Sequence, residues 1–305
     1  MHLPDKAMPP CCAWSVITLA LLVLMGSPSV VEAGSKPSSE LARHLTEIVT
    51  LARPAPMMSV PAGTFLLGSN RVDNDPYGNS TQFDDTELPQ HRVWLDAYEM
   101  DRDEVSLGEY LAFLYKQKLH PSDELQKLLW HVITVHSVSD QTISRWPALY
   151  VTWEEANSLC AAKQARLPTE AEWEKAARGF DGIPYPWGEA TPSSTLAIFG
   201  QHHVHEIPIL AAVDSHEEGR SPYGLHHMAG NIAEWVQDWF GFDYYAYMPE
   251  RNPPGPSTGR YKSVRGGSWK SKRVMLRTAT RGGALPDQRA TTIGFRCARS
   301  LKNPG

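Results

Sequence analysis

Histidine and carboxylate side chains lie close together in the segment GQHHVHEIP, and this combination can hold a transition metal. The segment contains His202, His203, His205 and Glu206. Imidazole nitrogens and carboxylate oxygens are ligands for zinc, iron and copper. In an extended chain alternate residues share a face, so His203 and His205 would point the same way. The pattern predicts either a site for an unknown transition metal or a solvated polar loop.

A second stretch with metal-site features is DNDPYGNSTQFD, which spans residues 73–84. It has acids at its first and third positions and Gly at its sixth, as calcium-binding loops do. Pro76, Tyr77 and the lack of a final Glu do not fit such a loop. We therefore expect a surface loop here.

Charge and composition limit the classes of partner. The chain has 305 residues, 42% of them hydrophobic, with 29 Lys and Arg against 34 Asp and Glu, for a net charge of -5. It has no long basic run, which argues against nucleic acid and against electrostatic membrane binding. The 22 Gly and 24 Pro residues favour many turns over long regular elements.

The N-terminus is typical of an export signal. The apolar stretch Ala13–Gly26 has 14 residues, shorter than the roughly 20 needed to cross a bilayer as a helix. Val31 and Ala33 then fit a signal peptidase site. We expect residues 1–33 to be a signal peptide, which leaves a periplasmic or secreted protein with no membrane attachment after cleavage. An uncleaved signal anchor is the alternative.

The mature chain is predicted to have a short helix and linker over residues 34–56 and one α+β domain over residues 57–300. Alternating stretches after Met58 indicate strands, and helical periodicity disappears after Gly179. Another helix is expected from Ser122 to about His136. Three helix starts carry capping boxes, in which a Ser or Thr and a Glu three residues later cap each other's backbone: Ser106 with Glu109, Thr152 with Glu155, and Thr169 with Glu172.

A set of motifs in fixed order resembles the formylglycine-generating enzyme family, also called the sulfatase-modifying-factor domain. The motifs are VPAGTFLLGS (60–69), ELPQHRVWLDAYEMDRDEV (87–105), YVTWEEANSLC (150–160), RLPTEAEWEKAARG (166–179), YPWGE (185–189), SPYGLHHMAGNIAEWVQDW (221–239), VRGGSW (264–269) and GFRCARS (294–300). The resemblance implies an elaborated C-type-lectin-like α+β fold that is low in regular secondary structure.

The charged and aromatic residues of these motifs also have a purely structural interpretation. In a fold rich in loops, they would be the buried ion pairs and aromatic anchors that hold the loops together. The residues concerned are Arg166, Glu172, Trp173, Trp187, Trp235, Arg265, Trp269 and Arg296.

The resemblance also locates the positions that carry the family's oxidase chemistry. Family oxidases use two cysteines, five positions apart, that bind copper(I), and the matching positions here are Ser271 and Leu276. A hydroxyl is a poor ligand for copper(I), and Leu is not a ligand. Ala233 stands where those oxidases usually have Trp, whereas Ser268 is retained. We therefore expect no copper and no copper-cysteine formylglycine synthesis.

The remaining two cysteines, Cys160 and Cys297, match family positions that form a structural disulfide. Export would supply the oxidising environment that this bond needs. Two free reactive thiols are the alternative.

Calcium sites are also implied by the resemblance. The first site would use the carbonyls of Gly230 and Ile232 and the carboxylate of Glu234, with His227 in place of a usual Asp or Asn. At the second site, Ile198 replaces the usual Asn. Imidazole and an alkyl group suit calcium poorly, so we expect at most one calcium ion.

The resulting functional hypothesis is a binding or maturation accessory factor for another exported protein or a small molecule. Its site would be the cleft between the GGSW and AGNIAEW segments. The alternative is an enzyme, either a metal-dependent oxidative tailoring enzyme or a formylglycine-generating oxidoreductase. The candidate catalytic residues are then Ser271, Glu234 as acid or base, Arg277 and Arg281.

Overall fold

The computed structural model describes residues 34–70, 84–201 and 207–301. The expected signal peptide, most of the 73–84 loop, and His202, His203 and His205 lie outside the described residues. Within those ranges, no helix combines the length and the apolar composition required to cross a membrane.

Six α-helices occur in the described ranges, all before Gly179. The first, α1, begins after Ser38, whose hydroxyl accepts from the Leu41 backbone N–H, and it buries Leu41 and Ile48. The helices are α1 (Ser39–Thr50), α2 (Leu107–Lys116), α3 (Asp123–Thr134), α4 (Asp140–Ser144), α5 (Trp153–Ala162) and α6 (Glu170–Arg178). At the start of each helix, the side chain of the N-cap Ser or Thr accepts a hydrogen bond from a backbone N–H of the first turn. Polar N-caps as well as apolar faces therefore define where the helices start.

In the part of the chain that the structure describes, the strands form three small sheets. β1 (Met57–Val60), β4 (Tyr98–Asp101) and β9 (Ala298–Ser300) make an antiparallel sheet, and β2 (Gly63–Leu67) pairs with β3 (His91–Leu95). The third sheet has the order β7 (Arg281–Ala284), β6 (Lys262–Arg265), β5 (Ala233–Trp239) and β8 (Ile293–Phe295). In it β5 is antiparallel to β6 and parallel to β8. Most of the chain after Gly179 is irregular, as the sequence predicted.

Two of the three predicted capping boxes are complete. In α5 and α6 the Thr hydroxyl and the Glu carboxylate cap each other's backbone N–H groups. The Ser106 hydroxyl likewise accepts from the Glu109 N–H at 3.1 Å. The Glu109 carboxylate instead lies 2.8 Å from Lys163 Nζ, so an ion pair takes the place of the second half of that box.

The disulfide implied by the resemblance is present. Cys160 on α5 and Cys297, between β8 and β9, are joined with a Cα–Cα distance of 5.5 Å. Both are fully buried in the larger hydrophobic cluster, together with Trp235 and Phe295. The bond therefore links a helix of the first half of the domain to its last strands.

The tryptophans at the centre of the motifs are structural anchors, as the second interpretation proposed. Trp173, Trp235 and Trp269 are each fully buried. Each indole N–H is satisfied: Trp173 donates to Glu234 at 2.8 Å, Trp235 to the Val151 carbonyl at 3.0 Å, and Trp269 to the Thr291 carbonyl at 2.9 Å. These bonds allow large rings to be buried in loops without leaving a polar atom unpaired.

Candidate functional site

The turn after β6 brings together Ser271 and Leu276, the two positions that the resemblance matches to the copper-binding cysteines of family oxidases. Gly266 and Gly267 have φ values of 90° and 68°, a region that favours Gly. A Cβ on Gly267 would stand 3.3 Å from Ser271 Cβ and 3.2 Å from Leu276 Cδ2. Both side chains therefore flank the same point. Ser271 Oγ accepts from the Ser268 N–H at 2.9 Å, and the two hydroxyl oxygens are 3.4 Å apart.

Leu276 is fully buried in a small apolar cluster with Ala197 and Ala229. Three partly buried aromatic rings pack against this cluster, and we call the region the aromatic pocket: Tyr185, Trp187 and Phe199. The first two rings are stacked, with centroids 5.4 Å apart and an interplanar angle of 4°. This wall is apolar and planar, so it can pack against a flat or aromatic group.

Backbone hydrogen bonds join the GGSW and AGNIAEW segments, between which the sequence predicts a cleft. The Gly230 N–H donates to the Gly266 carbonyl at 2.9 Å, and the Trp269 N–H donates to the Asn231 carbonyl at 2.8 Å. The two segments therefore contact each other directly at these points. Ser271 lies just after the GGSW segment, and its carbonyl accepts from the Gly200 N–H at 2.9 Å, next to Phe199 of the aromatic pocket.

Glu234 is fully buried in an ion pair. Arg296 donates to both of its oxygens at 2.7 Å, and Trp173 donates to Oε2 at 2.8 Å. The same guanidinium donates to three backbone carbonyls, those of Asp101, Arg102 and His226. An acid or base must reach its substrate, and this carboxylate is enclosed by its partners. Its position favours a structural role over the predicted role as acid or base.

The two candidate arginines are also in ion pairs. Arg281 is fully buried and donates to Glu170 at 2.7 and 2.8 Å. Arg277 is partly exposed and donates to both oxygens of Glu87 at 2.7 and 2.8 Å. Burial raises the pKa of Glu87 above its usual value, although Arg277 opposes this shift. Ser271, in contrast, is uncharged, and its carbonyl accepts from the N–H of Gly200, which follows Phe199 of the aromatic pocket.

The residues implied for calcium do not fit that ion as they are arranged. Both oxygens of Glu234 are engaged, and His227 Nε2 lies 3.1 Å from the Ala212 carbonyl. Burial lowers the pKa of His227 to about 3, so its imidazole is neutral. Calcium takes about six to eight oxygen ligands. Among the described residues, Oε1 of the buried Glu104 is a carboxylate oxygen near Asn231 without a hydrogen-bond partner.

Glu104 is the residue of this region that the sequence reasoning missed. Its other oxygen accepts from the Asn231 amide at 2.8 Å. Burial raises its pKa well above the usual value, and the nearby charge of Glu234 adds to this shift. The acidic run DRDE (101–104), which begins at the last residue of β4, was the available signal. Across the described ranges, no group of three or more His, Cys, Asp or Glu is placed to hold a metal ion.

Comparisons with known proteins give a consistent assignment. A family model described as the sulfatase-modifying factor enzyme 1-like domain matches residues 45–301. The chain is 30% identical over 297 residues to the formylglycine-generating enzyme of Bos taurus, covering 81% of this chain and 76% of that protein. It is 31% identical over 275 residues to serine/threonine-protein kinase pkn1 of Chlamydia caviae, covering 86% of this chain but only 41% of the kinase.

The fold also matches a solved structure. PvdO from Pseudomonas aeruginosa superposes with a TM-score of 0.60 at 22% identity, covering 82% of this chain and 99% of that one. This match supports the predicted α+β fold with modest regular secondary structure.

Proposed function

Because the chain belongs to the sulfatase-modifying factor enzyme 1-like family, whose model matches residues 45–301, we propose that it is an exported binding or maturation accessory factor. It acts on another exported protein or a small molecule, and it has no copper-cysteine oxidase activity. One observation carries this proposal. Leu276, at one of the two positions that hold copper ligands in family oxidases, is fully buried in an apolar cluster.

The chemistry of the turn supports the loss of oxidase activity. Copper(I) needs soft ligands such as thiolates. Ser271 offers a hydroxyl that already accepts a hydrogen bond from the Ser268 backbone, and Leu276 offers only methyl groups. In the described ranges both cysteines are joined in the Cys160–Cys297 disulfide, so neither supplies a thiolate.

The aromatic pocket supports a binding role. Tyr185 and Trp187 form a stacked pair at its edge. Lys270 precedes Ser271 on the turn after β6, and its Nζ lies 4.9 Å from the centroid of the Trp269 ring. A client side chain that is planar or apolar would pack on the rings, while Ser271 and Lys270 provide polar contacts. The ligand class that fits is an exposed peptide segment with an aromatic side chain.

Export is part of the same proposal. It is supported by the apolar stretch within residues 1–33 and by a disulfide that suits an oxidising compartment. Mass spectrometry of the protein recovered from the producing cell's periplasm or medium tests this point. We expect an N-terminus at Gly34, and a chain retained in the cytoplasm with residue 1 intact would contradict export.

The binding role is tested with the peptide acetyl-Ala-Tyr-Ala-amide and calorimetry. We expect Trp187→Ala to weaken its binding about twofold to tenfold, since an aromatic pair contributes roughly 0.5–1.5 kcal/mol. Trp130→Ala is the matched control, because Trp130 is 37% exposed and lies on α3. A peptide with Ser in place of Tyr should bind more weakly. Equal affinities for wild type and Trp187→Ala would contradict the assignment.

A further inference from the structure

Two adjoining cavities lie beside the linker that follows α1. The larger, of about 280 Å³, is bounded by residues 51–56 of the linker and by parts of the β4–α2 connection, α4 and the 213–214 loop. The smaller, of about 170 Å³, extends to Trp146 and Leu210. Both are lined by Gln141 and Arg145, so they are direct neighbours. Together they share no lining residue with the aromatic pocket, and we call the pair the arginine groove.

The arginine groove has more positively charged than negatively charged side chains. Three guanidinium groups, Arg53, Arg102 and Arg145, line it together with two carboxylates, Asp103 and Asp214, which leaves one net positive charge. Such an excess attracts an anionic group. Glu217 does not line the groove, although its charge also reaches Arg102; its side chain is 64% exposed and pairs with Arg220 at 3.0 Å.

The two carboxylates of the groove are already bonded. Asp103 accepts from Arg102 at 3.0 and 2.9 Å, and His226 Nδ1 lies 2.6 Å from it. Burial alone would raise the pKa of Asp103, but the hydrogen bonds of His226 and Arg102 hold it below the usual value. Asp214 accepts from Arg145 at 2.5 Å. Neither carboxylate therefore needs a cation from outside.

The guanidinium groups, in contrast, keep unused donors. Each has five N–H groups. Arg102 bonds Asp103 through Nε and Nη2, Arg145 bonds Asp214 through Nη2, and Arg53 bonds backbone carbonyls through Nη1. Within the part of the chain that the structure describes, their other N–H groups have no protein acceptor. The side chains of Arg145 and Arg102 are 51% and 33% exposed, so a ligand can reach them.

The rest of the groove suits a peptide. Pro54, Pro56 and Val213 contribute apolar walls to the larger cavity, and Trp146 lines the smaller one. The side-chain amide of Gln141 stands where the cavities join and can both donate to and accept from a peptide group. The larger cavity holds all three arginines, and the smaller one places Trp146, Leu210 and Ala212 beside Gln141, Thr142 and Arg145. Two such neighbouring cavities match two side chains of an extended segment.

We propose that the arginine groove binds an acidic extended peptide segment. A carboxylate side chain of the segment pairs with Arg53, Arg102 and Arg145, where a planar guanidinium can form two hydrogen bonds to it. A neighbouring apolar side chain enters the smaller cavity beside Trp146. This inference concerns a second surface and does not depend on the proposed function of the aromatic pocket.

Fluorescence anisotropy with the labelled peptide Ala-Glu-Leu-Glu-Ala tests the proposal on the whole folded protein. We expect Arg145→Gln to weaken binding about tenfold, as for loss of a hydrogen bond to a charged group, and Arg53→Gln to weaken it in the same direction. Asp214→Asn removes a competing carboxylate, so it should tighten binding about threefold. Arg299→Gln is the matched control, because Arg299 is 46% exposed and pairs with Glu99 elsewhere on the surface.

Two peptide comparisons complete the test. The peptide Ala-Gln-Leu-Gln-Ala should bind at least tenfold more weakly than its Glu counterpart, and free glutamate should compete poorly. Equal binding of the Gln peptide, or an Arg145→Gln variant that behaves like Arg299→Gln, would overturn the proposal. If free glutamate displaced the labelled peptide as well as the unlabelled peptide does, the groove would be a site for small carboxylates and the peptide assignment would be wrong.

Discussion

Replacing Glu234 with Gln separates the structural role of this residue from a role as acid or base. The Glu234 carboxylate has no exposed surface, and Arg296 donates to each of its oxygens at 2.7 Å. Gln would leave the Arg296 guanidinium in the interior without its counter-ion. Breaking a buried ion pair by removing one partner costs about 3–5 kcal/mol. We expect the free energy of unfolding of Glu234→Gln to fall by that amount.

Urea denaturation followed by tryptophan fluorescence measures this change. The matched control is Glu99→Gln, because Glu99 also pairs with an arginine, Arg299, but at 3.7 Å and with both side chains partly exposed. An exposed pair of this kind contributes about 0–1 kcal/mol. The structural role of Glu234 is refuted if Glu234→Gln lowers the free energy of unfolding no more than Glu99→Gln does, with the slope of that free energy against urea concentration unchanged. Glu234 would then again be a candidate acid or base.

Three further substitutions test the structural account. Replacing Cys160 and Cys297 with Ala should lower the free energy of unfolding by about 5 kcal/mol, since the bond spans a sequence separation of 137; in the wild type, alkylation of both thiols without reductant would contradict the bond. Burial raises the pKa of Asp238 to about 8, so the native state keeps a proton that the unfolded state loses near pH 4, and stability should fall as pH rises from about 4 to 8. Asp238→Asn should make that fall smaller, because the raised pKa values of Glu87 and Glu104 act in the same direction; parallel pH profiles for variant and wild type would show that Asp238 does not contribute. Gly267→Ala should destabilise the turn by more than Gly200→Ala in thermal unfolding, because both have positive φ but only at Gly267 would a Cβ meet a backbone carbonyl, at 2.9 Å; equal costs would contradict the crowding at this turn.

Local signals in the sequence predicted the helices well. Thr152 and Thr169 cap their helices as the spacing to the following Glu indicated, because a capping box depends on residues only three positions apart. Glu109 departed from its box because Lys163, more than fifty positions later in the chain, lies within 2.8 Å of its carboxylate. Contacts between distant parts of the chain are not visible in a local pattern.

The site shows the same limit. The ordered motifs identified the family and the positions of Ser271 and Leu276, which the structure brings to one point beside Gly267. They did not show that backbone hydrogen bonds join the GGSW and AGNIAEW segments, nor that Glu104 accepts from Asn231 at 2.8 Å. In the sequence alone, a side chain such as Glu234 is a candidate acid or base, because its burial and its bonding partners appear only when the chain is folded.

The most direct test of the proposed function is aldehyde formation on a cysteine-containing sulfatase-type peptide in the presence of copper(I) and oxygen. The wild-type protein should leave the peptide thiol unchanged by mass spectrometry and should retain no copper(I) against a chelator. The double variant Ser271→Cys, Leu276→Cys should retain copper(I), because both positions flank the same point beside Gly267. Conversion of the peptide cysteine to an aldehyde by the wild type would contradict the central claim that this family member does not use copper-cysteine oxidation.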